Sequence, residues 1–152
     1  MTARPKTSTR RINLLVIHST ATPEGRHHTI EDITEWHKKR GFRSIGYHYV
    51  IYIDGSIHEG RNINTAGAHL KGHNANSIGV AYVGGTDNRL RPKDTRNDAQ
   101  MKALETIVKE IITIYPNIEI AGHSQFSQTA CPSFDVPSWL RSININNNIF
   151  VV

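Results

Sequence analysis

Two histidines and the chain's one cysteine are the residues best suited to chemistry. His18 closes the apolar run INLLVIH (12–18), His123 closes IEIAGH (118–123), and Cys131 follows eight residues later in GHSQFSQTACPSF (122–134). Imidazole nitrogen and thiolate sulfur are donors that suit Zn²⁺, and three protein ligands leave a fourth position open, as in catalytic sites. The same loop also permits a thiol nucleophile, with His123 as the base for Cys131. Against that reading, Pro132-Ser133-Phe134 intervenes before any helix start that could lower the thiol pKa. His18 and His123 are 105 residues apart, so spacing alone does not choose between a metal and a nucleophile.

Elements with recognisable patterns have to position these groups. INLLVIH is a continuous apolar run of strand length, the signature of a buried central strand. Thr29 and Asp32 form a capping pair that starts a helix over 30–40, with Ile30, Ile33 and Trp36 on its apolar face and Gly41 at its end. The β-rich run 47–53, the Asp54-Gly55 pair and the run from Ser56 predict a hairpin. SIGVAYVG (77–84) is a second buried strand, and a helix over 98–115 carries Met101, Leu104, Val108, Ile111 and Tyr115 on one stripe. IEIAGH reads as a further strand, and VPSWLRS as a short helix with Pro137 in its first turn. Interleaved strands and helices predict an α/β domain, a central mixed β-sheet flanked by helices.

The 152 residues suffice for one domain with its own core. With 38% hydrophobic and 20% charged residues the chain is neither collagenous nor wholly disordered, and a single cysteine excludes an internal disulfide. The expected organisation is a flexible basic tail over 1–11, a catalytic domain over 12–143 and a C-terminal tail over 144–152. The N-terminal apolar run is too short for a secretory or membrane segment, so synthesis in the cytoplasm is expected. A net charge of +5 favours an anionic partner such as nucleic acid, a membrane surface or cell wall. The basic residues are scattered, however, and no nucleic-acid-binding motif or phosphate loop accompanies them.

Five segments in order decide between these chemistries. VIHSTAT (16–22), TEWHKKRGF (34–42), IGYHYVIYIDGSIHEGR (45–61), NSIGVAYVGG (76–85) and GHSQFSQTACPSFD (122–135) resemble the zinc-dependent N-acetylmuramoyl-L-alanine amidases. The resemblance is to the phage lysozyme-type branch, which shares its fold with the peptidoglycan recognition proteins, and it runs from about residue 12 to 140. It implies a zinc cleft on one side of the sheet and one Zn²⁺ per chain, held by His18, His123 and Cys131. It further implies that zinc polarises the amide between muramic acid and L-alanine and activates water, with Tyr47 and Thr129 hydrogen-bonding the reacting oxygens. Thr129 occupies a position where some phage members carry lysine, so it offers a neutral hydrogen bond in place of a charge. His69 and Asn76 fall on groove-lining positions. The implied role is that of a phage or prophage endolysin, made in the cytoplasm and acting on peptidoglycan after release, as a monomer.

The same fold can also serve as a muropeptide-binding module without cleavage. Retention of Cys131, both histidines and Tyr47 favours catalysis. A regulatory protein partner is a third implication of the resemblance, with no local motif to mark its surface. Without the resemblance, Tyr47 reads as a strand aromatic and Trp36 as core. His27, His28, His37, His48, His58 and His73 read as packing or surface residues.

Overall fold

The computed structural model describes residues 2–151; Met1 and Val152, the outermost positions of the two expected tails, lie outside it. The main sheet has five strands in the order β4-β3-β5-β1-β7: β1 (Leu14–Ser19), β3 (Tyr49–Ile51), β4 (Ile57–Glu59), β5 (Ser77–Tyr82) and β7 (Glu119–Gly122). All neighbouring pairs are parallel except the β3–β4 hairpin. A separate two-residue pairing joins β2 (Thr22–Pro23) to β6 (Gly85–Thr86). Three helices, α1 (Ile30–Lys39), α2 (Asp98–Ile114) and α3 (Val136–Ser142), complete the α/β architecture.

Side-chain parity separates the two faces of the sheet. Leu15 and Ile17 of β1, with Ile78, Val80 and Tyr82 of β5, pack with Leu104, Ile107, Val108 and Ile111 of α2 in the largest core cluster. Leu14 and Val16 belong to a different cluster with Leu70 and Ala121. His18 shares their parity and is 1% exposed, at the far end of the same row. A third cluster packs Ile33 of α1 against Ile45, Val50, Tyr52 and Val83, with Trp36 and Tyr47 partly buried beside it.

Local signals set the element ends. Thr29 Oγ1 accepts the Asp32 N–H while Asp32 accepts the Thr29 N–H, a reciprocal cap for α1. Asn97 and Gln100 cap α2 in the same way, and Asp135 caps α3 with Pro137 in its first turn. In the hairpin turn, Gly55 takes φ +85°, a value that costs glycine little.

Both expected tails are attached. The Ala3 N–H donates to the carbonyl of Ile57, Lys6 N–H to Tyr49 Oη, and Ser8 N–H to Tyr115 Oη. The Arg10 guanidinium donates to the carbonyls of Ile63, Asn74, Ala75 and Ser77. A basic segment read as a flexible tail is thus tied to partners 40 or more residues away, which composition does not register. At the other end, Ile149 bridges to Ile120 beside β7, and the Phe150 N–H donates to the Ile120 carbonyl.

Two buried histidines make stability pH-dependent. Burial, with Arg40 and Arg61 nearby, lowers the pKa of His37 to about 4. Burial, with smaller contributions from Arg10 and Arg61 and an opposing bond to Thr65, lowers His48 to about 4 as well. The unfolded chain protonates these groups near pH 6.5, so it binds more protons than the folded chain between about pH 4 and 6.5. Their stabilising effect is complete above about pH 6.5 and lost as pH falls toward 4, up to about 3 kcal/mol for each. The urea midpoint is expected to drop across this window. His37→Asn, which keeps an acceptor near the place of Nδ1, should flatten the drop; an unchanged slope in that variant would contradict the assignment.

Candidate active site

The register of β1 against β7 builds the site. Ile17 pairs with Gly122, so His18 and His123 leave neighbouring strands side by side, with ring centroids 4.8 Å apart. His123 opens a short 3₁₀ turn, His123–Gln125, and the loop then doubles back to deliver Cys131. That loop is held at several points. The Ser124 N–H donates to the Cys131 carbonyl at 2.9 Å, Tyr82 Oη to the Pro132 carbonyl at 2.7 Å, and Ser133 Oγ to the Gly85 carbonyl at 2.8 Å.

Among the described residues, His18, His123 and Cys131 form a potential metal-holding group, their donor atoms all within 4.8 Å of one another. Cys131 Sγ lies 3.8 Å from His18 Nδ1. Tetrahedral zinc with usual bond lengths separates a nitrogen and a sulfur ligand by roughly 3.5 Å, so this pair fits with little adjustment. The donor set suits a borderline-soft divalent ion. Burial lowers the pKa of His18 well below its ordinary value, with His69 and His123 adding to the effect, and burial also lowers His123. Both imidazoles are therefore neutral and able to donate a lone pair. Burial raises the Cys131 thiol, while the Ser19 N–H, 3.2 Å from Sγ, works in the opposite direction by bonding the thiolate.

Tyr47 precedes β3 and is half-buried, its ring 5.2 Å from that of His18. Burial, and secondarily the Cys131 charge, pushes its phenol pKa up, so Oη keeps its proton at any ordinary pH. The His37 ring lies 5.3 Å from the Tyr47 ring and accepts the Gly46 N–H at Nδ1, fixing the backbone just ahead of Tyr47. Thr129 is exposed on the Cys131 loop, where its Oγ1 accepts the Cys131 N–H at 3.3 Å.

The two groove positions stand apart from this arrangement in different ways. His69 is 8% exposed and lies behind His18, its Nδ1 2.9 Å from His18 Nε2. The Asn76 amide donates to Asn13 Oδ1, five residues and about 16 Å along the strand before His18. Sequence reasoning missed Ser19, because its contribution is a backbone N–H, and His37, which supports Tyr47 from a helix end. It also missed Ser77, whose Oγ lies 3.1 Å from His69 Nε2. The signal for Ser77 was present: in SIGVAY the small residues Ser77, Gly79 and Ala81 alternate with large ones, leaving room on one face.

The sheet, and a donor triad consistent with a metal site, define a protein of the amidase and peptidoglycan-recognition fold. The N-acetylmuramoyl-L-alanine amidase family model matches residues 8–134. The endolysin of Enterobacteria phage K11 is 36% identical over 126 residues, covering 83% of each chain. The endolysin of Escherichia phage T7 is 34% identical over 125 residues, 82% of this chain and 83% of its own. The solved N-acetylmuramoyl-L-alanine amidase LysC from Clostridium intestinale superposes with a TM-score of 0.77 at 30% identity, covering 96% of this chain and 94% of its own. The chain belongs to the N-acetylmuramoyl-L-alanine amidase family, whose activity is hydrolysis of the amide between N-acetylmuramic acid and L-alanine in peptidoglycan. No helix among the described residues is long and apolar enough to cross a membrane.

Loss of one donor tests the site directly. Cys131→Ala removes the triad's one thiolate donor and should leave the purified protein with background divalent metal by elemental analysis, while wild type retains it through dialysis. Equal metal content in both proteins would place the ion elsewhere.

Proposed function

We propose that the chain is a zinc-dependent endolysin-type amidase that binds one Zn²⁺ through His18, His123 and Cys131, with Tyr47 and Thr129 as the catalytic residues that touch the reacting atoms. The observation that carries this reading is the convergence of three donor atoms within 4.8 Å beside the Tyr47 ring. When bound, zinc supplies Lewis-acid polarisation of the scissile carbonyl and a lowered pKa for water.

The protein groups have separate tasks. His18, buried and neutral, offers Nδ1 to the ion. Cys131 brings a negative charge whose backbone partner, the Ser19 N–H, favours the thiolate. Tyr47 holds its proton at Oη and donates it in a hydrogen bond to the oxygen that becomes negative. Thr129 Oγ1 accepts from Cys131 N–H, which leaves its own proton to donate to the same oxygen. Both donors are neutral, so they stabilise developing charge without a further cation at position 129. Asn76 does not enter this assignment, because its amide is bonded at the far end of the strands.

The relatives named endolysins support a lytic role, in which the enzyme reaches peptidoglycan after release from the cytoplasm. The family match supports a muropeptide substrate, with which the scattered charge is compatible; we assign no nucleic-acid or membrane partner and a monomeric state. Tyr47→Phe should retain zinc and lose about 10²- to 10³-fold in kcat, the usual effect of removing one oxyanion donor. The assay follows free L-alanine amino termini released from purified peptidoglycan. New reducing sugar ends in place of those termini would overturn the amidase chemistry, and full activity in Tyr47→Phe would remove Tyr47 from it.

A further inference from the structure

His69 is buried, absent from the donor triad, and directed at His18. Its Nδ1 lies 2.9 Å from His18 Nε2, and its Nε2 lies 3.1 Å from Ser77 Oγ. The two imidazoles meet edge to face at 89°, with centroids 5.0 Å apart. A neutral imidazole carries one ring proton, so its two nitrogens cannot both offer a lone pair. For His18 to present Nδ1 toward Cys131, its proton must sit on Nε2, and on a side chain only 1% exposed that proton requires an acceptor from the protein.

We propose that His69 is the positioning residue of the metal centre: it accepts the His18 Nε2–H at Nδ1, passes its own Nε2–H to Ser77 Oγ, and so holds His18 in the metal-binding tautomer. This rests on the reading of His18 as a zinc ligand. The row of bonds has one direction when Nδ1 of His18 is free: His18 donates to His69, and His69 donates to Ser77. Reversing it would place a proton on His18 Nδ1 and close that nitrogen to a metal.

The slot that holds His69 is built by absent side chains. A Cβ on Gly79 would stand 2.6 Å from Cγ and Cδ2 of His69 and 2.8 Å from Nδ1. A Cβ on Gly67 would stand 2.6 Å from Cδ2 of the same ring and 2.9 Å from the Gly46 carbonyl. No side chain heavier than hydrogen fits at either position with the ring where it is. His48 adds a wall, its ring centroid 5.9 Å from that of His69. It does not compete for the His69 nitrogens, because its Nδ1 accepts the Gly79 N–H and its Nε2–H donates to the Thr65 carbonyl. Outer partners of metal-bound histidines typically contribute ten- to a hundredfold to metal affinity.

The test measures zinc affinity of the purified protein with a competing chelator, together with the His18 tautomer by ¹⁵N NMR of the zinc-free protein. His69→Ala should weaken zinc about 10- to 100-fold and lose the single Nε2–H tautomer at His18. His69→Asn, whose Oδ1 takes the place of Nδ1, should recover most of the affinity, which a purely steric role would not allow. Gly79→Ala, which changes no hydrogen-bonding group, should also weaken zinc by displacing the ring. It serves as the second variant should His69→Ala fold poorly. Unchanged affinity in both His69→Ala and Gly79→Ala, with wild type holding one zinc, would overturn the positioning role alone. A wild type that binds no zinc would overturn the metal reading on which it rests.

Discussion

Leu14 pairs with Glu119 and Ile17 with Gly122, and from this parallel register follows the meeting of His18 with His123. A slip of one residue would turn every side chain of β7 to the opposite face of the sheet. His18 would keep its face, while His123 would leave β7 toward the α2 side of the sheet, away from His18. The register is held by what each face must bury: Ile120 packs in the α2 cluster and Ala121 with Leu14 and Val16. The donor triad therefore inherits its geometry from core packing on both sides of the sheet. The Phe150 N–H and the Ile149 bridge add a partner along the outer edge of β7, which would otherwise be open.

The same burial that shapes the site also tunes it. Imidazoles removed from water hold their protons weakly, which leaves His18 and His123 neutral and available to a cation. The thiol is pushed the other way, and its contacts with Ser19, the backbone N–H foremost, work against that. Tyr47, raised by burial, stays a donor. One low-dielectric environment thus yields two lone-pair donors, one protonated phenol and a sulfur whose ionisation awaits a positive partner.

Much of the scaffold was legible. Continuous apolar runs marked β1 and β5 because both faces of a parallel strand are covered, and the Thr29–Asp32 capping pair marked a helix start because its bonds are local. What was not legible depends on distant partners. The N-terminal segment looks like a tail until Tyr49, Ile57, Ile63 and Tyr115 supply its hydrogen bonds. The pairing of β2 with β6 is two residues long, too short to show a period. Asn76 shared a motif with the site yet faces Asn13, because adjacency in sequence says nothing about which end of a strand a side chain serves.

The sequence by itself determined the kinds of atoms available: two strand-end histidines, one cysteine in a polar loop, and a tyrosine at the start of the β-rich run 47–53. These follow from local pattern, since strand and helix periods are properties of neighbouring residues. Only the tertiary structure decided that the three donors converge, that Tyr47 stands beside them, and that His69 lies behind His18 in a slot opened by Gly67 and Gly79. Those relations join residues up to 113 positions apart, from His18 to Cys131. They come from strand register and close packing, which no local pattern encodes.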